Sequence, residues 1–347
     1  MHVVCQEDVA PLWWDSRLYA AHGEAGLCQS TYWARVIQKL DGAAPLFLEI
    51  RDDDARTHAL LLAFKKVPWD RKTMQRKKSM KELLFGRNPA WIEWIDGPVL
   101  LPDSSEDIVH VLEILVQWLK VFAGREKIRL LRSPGFARTS RWASALPVKA
   151  FYTGSNFVVT SWATFLVNLS GTCEELWKRI SHSARKAVKK AHNQGLKIRK
   201  ISSREEFAGC YYNSYVRFEE AAGRSAHPVE SAMVARDEDT EGYYSYYVAE
   251  SREGVVLATL AMYCFNGVAT EITSALSPVA ALQGIPAQDL LHWELLCEAQ
   301  RAGCHLFDLA GVSPHPEDKK ARGIFRFKEK WGGDYRLYWQ VRNENPF

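Results

Sequence analysis

The chain has 347 residues, of which 47% are hydrophobic and 25% are charged, and its formal net charge is +4. This composition is that of a globular protein and excludes a disordered or collagen-like chain. The first residues contain no basic segment followed by an apolar one, and no apolar run approaches the roughly 20 residues of a membrane helix, so we expect neither a signal peptide nor a membrane segment.

The first part of the chain alternates strands with one clear helix. An apolar stripe at helical spacing predicts a helix over residues 104–124, with Ser104 and Asp107 as a capping box at its start. Between two of the strands, residues 65–89 form a very basic stretch that includes Lys77 and Lys78. The strands are predicted at 46–50, 58–64, 91–102 and 127–132.

The second part repeats this kind of order. Residues 243–277 are typical of a three-stranded meander, whose turns fall at Glu253–Gly254 and Asn266–Gly267. The stretch 171–195 predicts one long helix that starts with the capping-box pair Thr172 and Glu175. Further helices are predicted at 203–223 and 287–303, and further strands at 156–169, 305–312 and 334–341. The order predicts an α/β or α+β protein with a duplication, divided in the turn-rich stretch 150–157.

Two basic stretches are candidates for binding phosphates. In the predicted helix 171–195, Arg185, Lys189 and His192 recur at spacings of four and three and therefore share a face, beside Lys186 and Lys190. Such a face is either a solvated surface or a site for the phosphates of RNA or a nucleotide. The stretch 65–87 leaves the same two interpretations open.

The familiar catalytic and metal-binding motifs are missing from the sequence. There is no GxSxG, HExxH or GxxxxGK[ST] motif, and the seven cysteines form no CxxC pair, so we expect reduced thiols and no metal site. Asp308 ends a strand of buried character, where a carboxylate either holds the neighbouring loop or serves a site. The loop before the helix 287–303 is placed to hold a pyrophosphate. However, Gln283 is followed directly by Gly284, which does not fit the acyl-CoA pattern.

The stretch GIFRFKEKWGG, residues 323–333, places lysines among large aromatic residues. As an edge strand, it would put Phe325, Phe327 and Glu329 on one face and Arg326, Lys328 and Lys330 on the other. A lysine beside aromatic walls keeps its charge only where it meets an anion or water.

Several stretches together resemble the Fem family, the FemA/FemB/FemX-type aminoacyltransferases. The match is carried by AGCHLFDLAGV (302–312) followed by GIFRFKEKWGG, which is similar to the C-terminal signature of the family. It is supported by CQSTYWARV (28–36), DGPVL (96–100) and the basic helix LWKRISHSARKAVKKAHNQGLKI (176–198). These stretches occur in the family's order over nearly the whole chain.

The resemblance implies two tandem GNAT-like domains, each a mixed sheet flanked by helices. We assign the first domain to residues 1–155 together with the C-terminal strand 334–347, and the second to residues 156–333. Family members transfer an amino acid from aminoacyl-tRNA to an amine. The acceptor is a UDP-linked or lipid-linked peptidoglycan precursor, or in some relatives a small molecule.

Site residues also follow from the resemblance. Lys328, with Phe327 beside it, stands where the family has the lysine that contacts the tRNA end and stabilises charge at the ester carbonyl, and Asp308 is a further catalytic candidate. Arg35 stands where the family lysine binds a pyrophosphate. The other expected substrate-binding residues are Trp33, Asp103 and Thr273. The expected tRNA-binding residues are Arg185, Lys186, Lys189, Lys190, Lys77 and Lys78.

We therefore predict a cytoplasmic, monomeric aminoacyltransferase that needs no metal and no cofactor. The principal alternative is an N-acyltransferase of the same fold that uses acyl-CoA or an acyl-carrier protein. A third class is a non-catalytic RNA-binding protein that uses the same basic stretches.

Overall fold

The computed structural model describes residues 1–70, 75–76, 90–104, 107–221, 223, 226, 228–344 and 346. It divides into two compact units, one of Met1–Trp162 with Arg336–Phe347 and the other of Ala163–Tyr335. Among the described residues, no helix combines the length and apolar character needed to cross a bilayer. Lys77 and Lys78 lie outside the described residues. The domain boundaries given above stay a prediction.

The first unit contains a mixed sheet with helices around it. Its strands lie in the spatial order His2–Glu7, Ala44–Arg51, Thr57–Lys66, Trp91–Trp94, Leu131–Ser133 and Asp334–Asn343, with Val99–Leu100 beside the third and a separate short pair at Trp69–Asp70 and Gln75–Arg76. The pair formed by Trp91–Trp94 and Leu131–Ser133 is parallel. The helices are Trp14–Ala20, Thr31–Asp41, Ile108–Arg125 and Leu146–Gly154, with 3₁₀ turns at His22–Glu24 and Leu27–Gln29.

Two predictions for the first unit are wrong. The helix Ile108–Arg125 has Asp107 as its N-cap, whose carboxylate accepts a hydrogen bond from Val109 N at 2.8 Å, so Ser104 does not begin a capping box. The stretch 150–157 is not turn-rich, because most of it belongs to the helix Leu146–Gly154. That helix carries a proline in its first turn, a position that favours helix initiation and gives no turn.

The second unit is built on another mixed sheet. Its strands lie in the order Val158–Asn168, Leu306–Asp308, Val268–Leu276, Val256–Phe265, Tyr244–Glu250 and Lys197–Lys200. The last four are successive antiparallel neighbours, whereas Leu306–Asp308 runs parallel to Val268–Leu276. The meander and its hairpin at Asn266–Gly267 are therefore confirmed.

Helices flank this second sheet. A continuous helical stretch consists of Arg204–Glu206, a π-helical segment Phe207–Tyr212 and Asn213–Ala221, and its aromatic side chains enter a core with Tyr246 and Val248. The other helices are Cys173–Arg179, His182–Asn193, Val229–Asp237, Pro278–Gln283, Ala287–Arg301 and Lys319–Glu329.

The single helix predicted over 171–195 is two helices. The capping box of Thr172 and Glu175 is present at the start of Cys173–Arg179. A second N-cap, Ser181, then begins His182–Asn193, and its hydroxyl accepts a hydrogen bond from Ala184 N at 3.1 Å. The apolar periodicity continues across the break, which is why the sequence pattern predicts one helix.

The strand expected within 323–333 is also wrong, because residues Lys319–Glu329 form a helix. Its N-cap is Asp318, whose carboxylate accepts a hydrogen bond from Ala321 N at 2.7 Å. The alternation FRFKEK fits a strand, but helical spacing places Ile324, Phe327 and Lys328 on one face instead. The break after the helix requires glycine: Gly332 has φ +73°, and a Cβ there would lie 2.8 Å from Arg179 O.

Candidate active site

A cavity of about 800 Å³ opens in the second unit. It lies among the strand Val268–Leu276, the start of the helix Ala287–Arg301, the loop after Leu306–Asp308 and the helix Lys319–Glu329. Thr273, Phe327 and Lys328 all line it. The structure thus brings together three residues that the sequence nominates from two separate stretches of the chain.

Lys328 is a buried cation held by main-chain oxygens. Its side chain is 9% exposed, and its ammonium donates a hydrogen bond to Leu309 O and another, at 3.4 Å, to Gly311 O. An ammonium has three N–H donors, so two carbonyls leave one donor for the cavity. The residue between them, Ala310, has φ +61°, which turns the chain so that both carbonyls reach the same nitrogen.

Asp308 holds this loop. Its Oδ1 accepts hydrogen bonds from Ala310 N at 2.9 Å and from Thr164 Oγ1 at 2.5 Å, and the Thr164 hydroxyl also lies 2.9 Å from Ala310 O. Asp308 is 3% exposed and does not belong to the described lining of the cavity. Of the two interpretations given for this carboxylate, the contacts favour the one in which it fixes the loop around Lys328.

Glu271 and His292 form a buried pair beside the cavity. Glu271 Oε2 lies 3.1 Å from His292 Nε2, and the side chains are 5% and 1% exposed. His292 Nδ1 lies 2.8 Å from Gln288 O, a carbonyl that can only accept. Both ring nitrogens of His292 therefore lie against oxygen atoms, one from a backbone carbonyl and one from a carboxylate.

The surroundings of Glu271 keep it ionised. Burial acts to raise the pKa of this carboxyl, but the charges of His292 and Lys328, with hydrogen bonds from His292 and Ser274, lower the pKa to about 2. Ser274 Oγ donates to Glu271 Oε1 at 2.7 Å. The Glu271 carboxylate is therefore ionised beside the cavity, where it interacts with the charges of His292 and Lys328.

Phe327 and Trp331 pack against His292 and Lys330. The Phe327 ring meets the edge of His292 with a centroid distance of 4.9 Å, and Trp331 stacks on His292 at 5.6 Å. Lys330 Nζ lies 3.9 Å from the Phe327 centroid and 2.6 Å from Asp289 Oδ1. Lys330, to which the sequence analysis gives no role, is thus the lysine that lies over the aromatic rings, where cation–π attraction stabilises it.

Thr273 is fixed on the opposite wall. Its hydroxyl lies 2.9 Å from the Tyr211 hydroxyl, which comes from the π-helical segment Phe207–Tyr212. Burial raises the pKa of Tyr211, so this phenol stays neutral. A neutral hydroxyl pair at this wall is suited to hydrogen bonding and not to charge.

The cations of the basic helix His182–Asn193 are of two kinds: some bind backbone carbonyls of the protein, and others are exposed on its surface. Arg185 Nη1 donates to Trp177 O, Lys178 O and Ile180 O, at 3.2, 3.1 and 2.6 Å, and so caps the preceding helix. Lys190 Nζ donates to Gly284 O at 2.8 Å. Lys186 and Lys189 are exposed and line a surface concavity of about 470 Å³ with Arg185 and Lys190.

The remaining predicted residues belong to the first unit. Trp33 and Arg35 are half-buried on the helix Thr31–Asp41, where Trp33 N donates to Ser30 Oγ at 3.2 Å and Arg35 Nη1 lies 3.5 Å from Thr31 Oγ1. Asp103 is exposed, and its carbonyl oxygen accepts from Arg56. Their assignment to substrate binding stays a prediction, as does that of Lys77 and Lys78.

Glu271, Asp289 and Gln288 also line the cavity, and no sequence pattern points to them or to a site role for His292. One available signal is the position of Glu271 inside the apolar strand VATEITSAL, because a carboxylate there requires a partner. The partner itself lies 21 residues away on a different element and is not visible in any local pattern.

The loop between the strand Val268–Leu276 and the helix Ala287–Arg301 uses its own amides. The N–H groups of Ala280, Ala281, Gly284, Ile285 and Ala287 all donate within the loop, to Ser277 Oγ or to loop carbonyls. These hydrogen bonds fix the conformation of the segment that leads into the helix Ala287–Arg301.

Comparison with known proteins shows likeness in structure only. No family model matches the chain, and no curated protein matches it in sequence. FemX has a TM-score of 0.72 and 12% identity, over 97% of this chain and 96% of FemX. L-PGS from Bacillus licheniformis has a TM-score of 0.55 and 12% identity, over 97% and 92% of the two chains. A tandem GNAT protein from the clavulanic acid biosynthesis pathway has a TM-score of 0.57 and 10% identity, over 100% of both. The predicted fold class, mixed α/β of the tandem GNAT type, is confirmed.

Proposed function

We propose that this protein transfers an aminoacyl group from aminoacyl-tRNA to an amine, forming an amide bond. The observation that carries the proposal is Lys328, a buried ammonium with two donors fixed on Leu309 O and Gly311 O beside an 800 Å³ cavity. The chain's likeness to FemX in fold and its Fem-like C-terminal stretch support the same assignment.

The reaction follows from the position of that charge. The acceptor amine attacks the ester carbonyl, the new C–N bond forms, and the C–O bond to the terminal ribose of the tRNA breaks. Negative charge develops on the carbonyl oxygen, and the third N–H of Lys328 is placed to stabilise it. The amine loses a proton and the ribose hydroxyl gains one, so the step balances without a covalent enzyme intermediate. Holding donor and acceptor together supplies much of the remaining rate.

The sequence before the helix Ala287–Arg301 favours a tRNA donor over acyl-CoA, because Gln283 is followed directly by Gly284 and the acyl-CoA pattern is not met. Lys186 and Lys189, exposed on the neighbouring helix, offer the phosphates of a tRNA a site instead.

The acceptor is an amine of a UDP-linked or lipid-linked peptidoglycan precursor or of a specialised small molecule, with Arg35, Trp33 and Asp103 as its proposed binding residues. An aminoacyl-tRNA donor places the reaction in the cytoplasm. Transfer from acyl-CoA or an acyl-carrier protein is the alternative that the following experiment separates.

The test is transfer of label from a mixed pool of radiolabelled aminoacyl-tRNAs to candidate amines, with ribonuclease treatment and labelled acetyl-CoA in parallel. We expect ribonuclease-sensitive transfer. Lys328→Ala should lower the rate at least about 100-fold, because an oxyanion donor is lost, while tRNA affinity stays within about tenfold. Lys319→Ala, an exposed lysine of the same helix, is the matched control. Label that moves only from acetyl-CoA would overturn the proposal.

A further inference from the structure

Gln288 lines the cavity, and its side-chain amide makes no hydrogen bond with the residues that the structure describes. Both Nε2 and Oε1 are buried, and neither has a hydrogen-bond partner among the residues that the structure describes. Such a group costs roughly 1–3 kcal/mol for each unsatisfied atom, so a ligand that pairs with it would offset that cost.

Two other glutamines of the chain, the buried Gln29 and the half-buried Gln300, behave differently. The amide of Gln29 donates to Leu62 O and Ile95 O and accepts from Leu62 N. Gln300, on the same helix as Gln288, donates to Leu169 O and Gly171 O and accepts from Cys173 Sγ. Gln29 and Gln300 are structural residues with both ends satisfied. Gln288 has the same side chain in the same fold with neither end satisfied.

Gln288 is also placed next to the Glu271 carboxylate. The backbone carbonyl oxygen of Gln288 and the Glu271 carboxylate lie against the two nitrogens of the same imidazole, that of His292. Glu271 uses one oxygen for His292 and the other for Ser274, which fills two of the roughly four lone-pair sites of a carboxylate. The remaining sites can accept hydrogen bonds from a cation that enters the cavity.

We propose that Glu271 and Gln288 form a subsite for the free α-ammonium of the aminoacyl donor. The proposal rests on the proposed function, because an aminoacyl ester is the donor that brings this group. Gln288 turns its amide into the cavity, so that Oε1 accepts from the ammonium and Nε2 donates to an oxygen of the donor. Glu271 supplies the opposite charge.

This assignment explains why an amide and a carboxylate stand together. An α-aminoacyl ester offers N–H donors on its ammonium and an acceptor on its carbonyl, which match the acceptor and the donor of Gln288. A simple acyl group offers only the acceptor and would leave Gln288 Oε1 and the remaining lone-pair sites of Glu271 without a donor. The subsite therefore selects against donors whose amino group is absent or blocked.

The test compares two forms of one donor. Filter-binding affinities of the wild-type protein are measured for a mixed aminoacyl-tRNA pool, for the same pool after N-acetylation and for deacylated tRNA. We expect the aminoacylated pool to bind about tenfold or more tightly than the acetylated pool, since hydrogen bonds to charged groups are strong. In Gln288→Met and in Glu271→Gln, the preference should fall to within about twofold.

A stability measurement separates binding from folding. Because the side chain of Gln288 makes no hydrogen bond with the residues that the structure describes, Gln288→Met should have a Tm equal to or above that of the wild type. Gln300→Met is the matched variant: it should lower Tm by at least about 3 °C and keep the preference for the free amino group. A wild-type protein that binds tRNA but treats the two pools alike, or a Gln288→Met variant that keeps the preference, would overturn the subsite. Failure to retain any tRNA would overturn the proposed function itself.

Discussion

Lys328 is stabilised by the dipoles of two backbone carbonyls. Neither of these hydrogen-bond partners carries a charge that would neutralise the ammonium. Two backbone carbonyls, Leu309 O and Gly311 O, accept its hydrogen bonds, and a carbonyl carries no net charge. The ammonium therefore keeps its full positive charge for a substrate oxygen. Asp308 contributes indirectly, through its hydrogen bond from Ala310 N.

This arrangement makes Asp308 a positioning residue, and two substitutions test that role. Asp308→Asn keeps the Oδ1 acceptor for Thr164 and Ala310, so we expect the transfer rate to stay within about threefold of the wild type. Asp308→Leu removes the acceptor and should lower kcat at least about tenfold, with KM for the tRNA changed little, because the loop around Lys328 loses its support. A large loss in Asp308→Asn would instead assign the carboxylate to proton transfer.

At the scale of elements, the two helices Cys173–Arg179 and His182–Asn193 depend on each other at their junction. Arg185 satisfies three carbonyls at the end of the first helix, and Ser181 N donates to Lys330 O at 2.9 Å. The junction thereby links the basic helix His182–Asn193 to the end of the helix Lys319–Glu329. A cation that looks like part of a binding face in the sequence is in this case part of the structure.

The same helix gives a prediction that separates the two kinds of cation. Arg185→Ala should lower the free energy of unfolding by about 1–2 kcal/mol, because the carbonyls lose their partner. The double variant Lys186→Ala/Lys189→Ala should leave that free energy within about 0.5 kcal/mol. It should also reduce the slope of log affinity for tRNA against log salt by roughly one for each lost phosphate contact. An unchanged slope would remove these lysines from the tRNA surface.

Across the whole molecule, the buried Glu271 couples stability to pH. Its pKa is lowered from the usual 4.5 to about 2 in the folded protein, so its ionised form stabilises the fold above pH 4.5, and this contribution is lost as the pH falls towards about 2. A shift of this size corresponds to roughly 3 kcal/mol.

Urea unfolding between pH 7 and pH 2 measures this coupling. We expect the wild-type free energy of unfolding to decrease mainly below pH 4.5, and we expect Glu271→Gln to lack that part of the decrease. Glu174→Gln, at a carboxylate 78% exposed, is the control and should follow the wild type. Parallel pH profiles for Glu271→Gln and the wild type would contradict the assignment of a lowered pKa.

Local patterns predict the order of strands and helices in much of the fold because each pattern reports on its own neighbours. The turn at Asn266–Gly267 and the cap at Thr172 are of this kind, and the resemblance places Lys328 and Thr273 at a site. The pair of Glu271 and His292 cannot be predicted in this way, since it forms only when a strand and a helix pack together. The helix Lys319–Glu329 is missed because FRFKEK alternates like a strand while its N-cap, Asp318, lies outside the stretch.

The two backbone carbonyls that bind Lys328 affect which substitutions its site tolerates. Every residue carries a carbonyl oxygen, so substitutions at Leu309 or Gly311 leave both acceptors in place as long as the backbone keeps its turn at Ala310. A side-chain acceptor is lost at the first unsuitable substitution. The two backbone acceptors of Lys328 instead constrain the backbone conformation and only weakly constrain the sequence. The chain shares its fold with FemX at a TM-score of 0.72 although the two sequences are 12% identical.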